Sequence, residues 1–393
     1  MIYPANFEEK IGFDRIREQV TALCSTPSAK AKLAEEGFST SADEIERRLS
    51  LMNEMRSLLM LERDFPDGDY PDPAPLVAKI RVEGSYLLAA EADQLRKALV
   101  TVGAIAEFIL GRGGARYPRL WELSRRVTLF PEIVRAIDAI LDDRGEVKDS
   151  ASPELQQVRR AIREREGQAA KRLQQVLQRA KQAGIVDADA VLSVRDGRPV
   201  IPVAAANKRK LQGFIHDESA TGRTFYVEPV EVVEINNELK ELEYAERREV
   251  VKVLSTFTES IRPDAEAIAD AGDYLSSVDM IRAKARWALA NDAGKPILST
   301  DDRLELRTAR HPLLQQTLRA QGREVVPLDL ALDRRKHILV ISGPNAGGKS
   351  VCLKTTGLMQ YLFQCGYPVP ASEVSELPVF RSIFIDIGDE QSI

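Results

Sequence analysis

The chain has 393 residues, too long for one ordinary hydrophobic core, so two to four domains are expected. Charged residues make up 29% and aromatic residues only 6%, a balance that favours long solvated helices over compact sheets. The net charge of −5 excludes wholesale attraction to nucleic acid and leaves that task to local basic patches. No run of about 18 apolar residues occurs, and the N-terminus MIYPANFEEKIGFDRIREQV has no apolar signal region. Cys24, Cys352 and Cys365 show neither CxxC pairing nor metal-ligand spacing with His216, His311 and His337. A cytoplasmic protein with reduced thiols and no membrane contact is expected.

Residues 1–150 read as a helical core. Phe7, Ile11, Ile16, Val20 and Leu23 keep a helical period, as do Ile45, Leu49, Met52, Met55, Leu58 and Leu59. The break DFPDGDYPDPAP separates these from a further helical stretch near Leu87 to Leu110. Their apolar faces are core packing and carry no chemistry.

At Pro153 the character changes. Leu155, Val158, Ile162, Ala169, Leu173, Val176 and Ala180 form a heptad-like seam with one apolar slot skipped near Arg165 and Glu166. Ser152 and Pro153 are the N-cap and first-turn proline of an outgoing helix over 151–186, which at 1.5 Å per residue makes an arm roughly 45 Å long. Its other faces carry Arg159, Arg160, Arg163, Arg165, Lys171, Arg172, Arg179 and Lys181, a run that by itself describes a solvated face.

Residues 187–229 read as a small β-rich module. Strand-like residues bracket Asp196 and Gly197 as a hairpin, and GFIHDES and RTFYVEP form a second strand pair. The module carries Arg195, Arg198, Lys208, Arg209, Lys210 and Arg223, a set suited to phosphate contact that positions a nucleic acid without reading its sequence. His216 and Asp217 lack a third partner for acid–base chemistry. Val232, Ile235, Leu239, Leu242, Ala245, Val250, Val253 and Phe257 then restore the seam over 230–262, and Pro263 stops it. Core helices follow over 263–296.

From residue 297 to 393 the text becomes α/β, with strands expected in LELRTARHPLL, VVPLDLAL, HILVISGP and FRSIFI. Gly343, Gly348, Lys349 and Ser350 have the spacing of a phosphate-binding P-loop. The bare pattern is permissive and gains its meaning from the apolar run before it and the helical pattern of Leu353, Leu358 and Leu362 after it. In that context, backbone N–H groups and a helix N-terminus surround one anion, Lys349 reaches the outer phosphates and Ser350 ligates Mg²⁺.

A P-loop that follows a long antiparallel arm, in the form Gly343-Pro344-Asn345-Ala346-Gly347-Gly348-Lys349-Ser350, resembles the MutS family. Arg310-His311-Pro312 resembles that family's lead-in strand. ILDDRGEVKDSASPEL, VRDGRPVIPV, HDESATGRTFYVEP and DIGDEQSI are most similar to its MutS-two branch, over nearly the whole chain. The resemblance implies a helical core and lever, a clamp at the lever tip and an ABC-type ATPase domain working as a composite homodimer. In sum the fold expected is mostly α with an α/β part. Phe7 and Glu9 match a Phe-x-Glu wedge but open a helix here, and read as packing and solvated face.

The resemblance also implies ATP or ADP with Mg²⁺ as cofactors, held by residues 343 to 351: Gly343, Pro344, Asn345, Ala346, Gly347, Gly348, Lys349, Ser350 and Val351. Asn345 would lie near the terminal phosphate, and adenine would pack near Val325 and Val326. The family's signature loop, catalytic acidic strand and switch histidine belong beyond residue 393, since DIGDEQSI precedes the signature helix. The chain is therefore expected to be a C-terminally truncated piece without catalytic residues for hydrolysis, from an ATPase parent that also carries a small MutS-related nuclease domain in many relatives. Two roles follow for that parent: a clamp on branched or recombining DNA that suppresses recombination, and a ribosome-associated ATPase that contacts ribosomal RNA, recognises stalled or collided ribosomes and splits them. A basic tip on a long arm suits both backbones alike. A non-catalytic piece that only dimerises through its arm is the third reading.

Overall fold

Caps fix where the helices begin. The Ser152 hydroxyl accepts from the Leu155 N–H at 3.0 Å, with Pro153 in the first turn, and Thr26 accepts from the Ala29 N–H ahead of Pro27 in the same way. The computed structural model describes residues 1–195, 197–344 and 348–387. The chain is mostly helical with small sheets, and it divides into two units: residues 82–93 with 135–262, and residues 1–81 with 94–134 and 263–393. No helix among the described residues is long and apolar enough to cross a membrane.

In the unit containing 135–262, helices Pro153–Gln182 and Val230–Ile261 run antiparallel, as their cross-helix ion pairs demonstrate. Arg159 meets Glu246 at 2.7 Å, Arg165 meets Glu238 at 2.8 Å and Arg179 meets Glu231 at 3.3 Å, so the partner's number falls as the helix advances. Between them in sequence lies a four-stranded sheet. Ser193–Arg195 pairs antiparallel with Arg198–Ala204, which pairs with Thr224–Pro229, which in turn pairs with Gly213–Glu218. Both expected hairpins are present. Ile201, Val203 and Val227 from the inner strands pack on Leu173, Val176, Leu177 and Ala180 of the first helix and Val232 of the second.

In the other unit, helix Ala265–Ala290 is the central post, flanked by Phe13–Ala22, Pro27–Glu35, Ala42–Leu61 and Ala74–Ile80. A four-stranded mixed sheet has the order Ile297–Leu298, Glu376–Leu377, Leu304–Ala309, Leu328–Leu332. Helix Lys349–Gln364 buries Leu358, Met359, Leu362 and Phe363, and its Tyr361 ring lies 5.1 Å from that of Phe7 and 4.9 Å from that of Phe13. Phe7 is thus core packing and Glu9 is exposed, as the sequence predicts.

Three local expectations change. Ile338–Ile341 is not a strand: Ile338, Leu339 and Val340 are exposed and have no ladder partner among the described residues. A β-branched run becomes a buried strand only where neighbouring strands and covering helices exist, and periodicity cannot supply those. The stretch 1–150 is not purely helical, because Ile2–Tyr3 pairs parallel with Ile383–Phe384 across almost the whole chain. Leu353 is 51% exposed and lies off the buried face that Leu358 and Leu362 share.

Candidate phosphate loop and nucleic-acid interface

In the candidate phosphate loop, Gly343 and Pro344 end an exposed segment and Gly348 caps helix Lys349–Gln364. Gly343 has φ +149° and Gly348, the N-cap, has φ +83°. Both values lie where a Cβ is disfavoured, which accounts for glycine at these two positions of the motif. The Lys349 ammonium folds back over the loop and donates to the carbonyls of Gly343 and Pro344, the latter at 3.2 Å. Ser350 and Val351 occupy the helix's first turn, half-buried. A cation held over a glycine turn at the N-terminus of a 16-residue helix is an arrangement that suits an anion. Asn345, Ala346 and Gly347 lie outside the described residues. Val326, expected against adenine, is 88% exposed.

The six basic residues of the β module divide by environment. Arg209 and Lys210 are exposed in the turn between strands Arg198–Ala204 and Gly213–Glu218, Arg223 is exposed just ahead of strand Thr224–Pro229, and the Lys208 ammonium sits 4.3 Å from the Phe225 ring centre. Arg195 lies over the Tyr226 ring at 3.9 Å and bonds Asp217 at 2.9 Å. Arg198 faces inward instead: it donates to both Glu228 oxygens at 2.8 Å and to the Asn237 side chain at 3.0 Å. Asp196, in the first hairpin turn, lies outside the described residues.

Glu228 is the organising group that periodicity missed. Its carboxylate is buried and also accepts from His216 at 2.5 Å and Asn236 at 2.6 Å. Burial pushes this carboxyl up, but the hydrogen bonds from Asn236, His216 and Arg198 outweigh it and hold the carboxyl below its ordinary value. His216 and Asp217 therefore serve separate partners, Glu228 and Arg195. The available signal was the strand-like run TFYVEPV, in which the one carboxylate, Glu228, interrupts residues of strand type.

No family model matches the chain. It is 34% identical to endonuclease MutS2 of Bacillus velezensis over 97% of this chain and 48% of that one. It is 36% identical to endonuclease MutS2 of Thermomicrobium roseum and 34% to the putative endonuclease MutS2 of Bacillus subtilis, with the same two shares covered in each case. The chain spans about half the length of the curated relatives it matches. With nearly all of its own length aligned to proteins of that one name, the chain belongs to the MutS2 family.

Proposed function

We propose that this chain is the nucleotide-holding and nucleic-acid-clamping part of a MutS2-type machine. Helices Pro153–Gln182 and Val230–Ile261 act as the lever, the four-stranded module as its clamp, and residues 343–351 as the phosphate cradle of an ABC-type ATPase domain. ATP or ADP is held with Mg²⁺, Lys349 neutralising the outer phosphates and Ser350 supplying the metal's hydroxyl ligand. Dimerisation of two such nucleotide domains completes the site, and the nucleic acid is branched DNA, which is in keeping with the endonuclease name of the relatives. The observation that carries the reading is the Lys349 ammonium over a glycine turn, at a helix N-terminus, in a chain of this family.

Titration with a fluorescent ATP analogue tests the cradle: binding is expected to need Mg²⁺ and to weaken at least tenfold in Lys349→Ala, with the helical circular dichroism unchanged. Equal binding by the variant sinks the assignment. For the clamp, Lys208→Gln, Arg209→Gln and Lys210→Gln together are expected to weaken branched-DNA binding and to flatten its salt dependence by about one per lost phosphate contact. If those changes leave DNA binding intact but abolish co-sedimentation with ribosomes, the ribosomal reading replaces the DNA one.

A further inference from the structure

A second basic surface lies far in sequence from the β module, on helices the sequence treats only as core. Residues 112–126 contain five arginines, no lysine and one carboxylate. They fold along one face of helix Ala42–Leu61, where positions 47, 51, 54, 58 and 62 follow one another at helical spacing. At one end a groove of ≈ 260 Å³ is lined by Arg47, Arg119 and Arg126 with Leu51, Leu123 and Glu122. Midway, Glu54 accepts the backbone N–H groups of Arg119 and Leu120 at 2.9–3.0 Å, which fixes the short helix Pro118–Ser124 against the longer one. At the other end Glu62 is shared by Arg112 at 3.0 Å and Arg116 at 2.6 Å.

The carboxylates along this row are too few for its guanidinium groups. Glu44 serves Arg47 and Arg48, Glu122 serves Arg125 and Arg126, and Glu62 serves two more. Arg126 is 73% exposed and Arg47 53%. Such exposed pairs contribute little to stability and exchange readily for a better anion. Three guanidinium groups stack on rings, Arg112 on Phe108 at 4.3 Å, Arg116 on Tyr117 at 5.5 Å and Arg125 on Trp121 at 5.5 Å. The rings position these guanidinium groups while Glu62 and Glu122 hold their N–H groups, so a phosphate would take the place of a carboxylate in the fork-like geometry that arginine offers better than lysine.

We propose that this arginine row is a second track for a nucleic-acid phosphodiester backbone, separate from the β module. The row runs from position 47 to position 62, ~22 Å at 1.5 Å per residue. That length spans several successive phosphates of one strand. A linear row favours a polymer over a lone phosphate or a headgroup. The inference rests on reading the chain as a nucleic-acid protein, and RNA and DNA share the chemistry it invokes.

The test is fluorescence anisotropy on the whole 393-residue chain, with labelled 20-nucleotide single-stranded RNA and DNA of one sequence at several salt concentrations. Arg47→Gln, Arg119→Gln and Arg126→Gln together are expected to weaken binding about tenfold or more and to lower the salt slope by about two, from three lost contacts at about 0.7 each. The three Arg→Lys changes are expected to keep the slope but lose affinity several-fold, because the charge remains and the fork does not. Loss for RNA alone or DNA alone identifies which backbone the track takes, and either supports it. Unchanged binding in the glutamine variant, while the Lys208, Arg209 and Lys210 changes still weaken it, overturns the track and leaves the clamp standing. No binding by the unaltered chain overturns both. Competition by polyglutamate as effective as by nucleic acid overturns the phosphate assignment in favour of an acidic protein. Thermal melting of each variant verifies that the fold is intact.

Discussion

Helices Val230–Ile261 and Ala265–Ala290 follow one another in the chain, each inside its own unit, and solve opposite problems. The first is 32 residues long and buries only Val232, Asn236, Leu254, Phe257, Thr258 and Ile261. The second is 26 residues long and buries fifteen, among them Asp279, Arg282 and Lys284. Their sequence rhythms run the other way: the solvated helix keeps the clearer apolar period, and the buried one blurs it. A period reports burial on one side. A post packed on several sides buries polar side chains too, on condition that each finds partners. Arg282 meets Asp279 at 2.9 Å, Ser25 at 2.7 Å and the Gly68 carbonyl at 2.6 Å, and lies 3.7 Å from the Tyr70 ring. Asp279 also accepts the Thr26 N–H and hydroxyl at 2.8 and 3.0 Å, which ties the central post to the cap of helix Pro27–Glu35.

The sharpest way to break this contrast is to remove one buried partner. Arg282→Ala is expected to cost about 3–5 kcal/mol in denaturant unfolding, because it strands Asp279 as an uncompensated charge. A loss under ~1 kcal/mol would mean that the centre of this unit is not dry.

The next largest effect comes from acid. His311 is buried, with the Ile11 backbone the one polar group that favours its charged form. Burial pushes the imidazole down to about 4 from an ordinary 6.5, with Lys354 and Arg15 adding to the effect. Above pH 6.5 the ring is neutral folded or unfolded and contributes no pH dependence. Between pH 6.5 and about 4 the unfolded chain binds the proton first, so stability falls as pH falls, by about 3 kcal/mol in all. His311→Phe is expected to flatten that slope in urea titrations across this range. An unchanged slope would assign the acid sensitivity elsewhere.

The same contrast explains how far the sequence could be read. The arm's ends were legible because Ser152, Pro153 and Pro263 act locally, and both hairpins because Gly197 and Gly222 mark turns between alternating strands. The left-handed turns ahead of helix Lys349–Gln364 were legible as the spacing of Gly343 and Gly348. The Glu228 cluster was not, since its donors come from positions 198, 216 and 236, joined only by the sheet register. The pairing of Ile2–Tyr3 with Ile383–Phe384 was hidden for the same reason. The arginine row looked like ordinary core helices because its two halves lie on helices far apart in sequence, brought together by the bonds of Glu54 and Glu62 and by apolar packing that no local pattern records.

Inside the arm's own unit, Glu228→Gln separates the end anchored to the sheet from the solvated remainder. The change keeps shape and removes charge, and is expected to cost about 1.5–3 kcal/mol, the range for hydrogen bonds to a charged group. Because the folded carboxyl lies below its ordinary 4.5, its stabilisation is present above that pH and is lost as pH falls through the lower folded value. Urea titrations between pH 5 and 3 are expected to show that acid-sensitive component in the unaltered chain and to lack it in the variant.

The smallest effect draws the line most finely. Arg165 and Glu238 meet at 2.8 Å across the two long helices, with side chains 42% and 43% exposed, near the skipped apolar slot. Water screens both charges, and two long side chains lose rotamer freedom to meet, so a double-mutant cycle is expected to give under ~0.5 kcal/mol. A cavity of ≈ 450 Å³ lined by Glu166, Ala169, Leu173 and Leu239 lies beside this pair, where apolar contact between the helices is interrupted. With little packing and little electrostatic coupling here, the middle of the arm should exchange its amide hydrogens sooner than the seam at Leu173 to Ala180, which packs on the sheet. A coupling above ~1 kcal/mol, or slower exchange in the middle than at that seam, would make the arm as tightly held along its length as the central post.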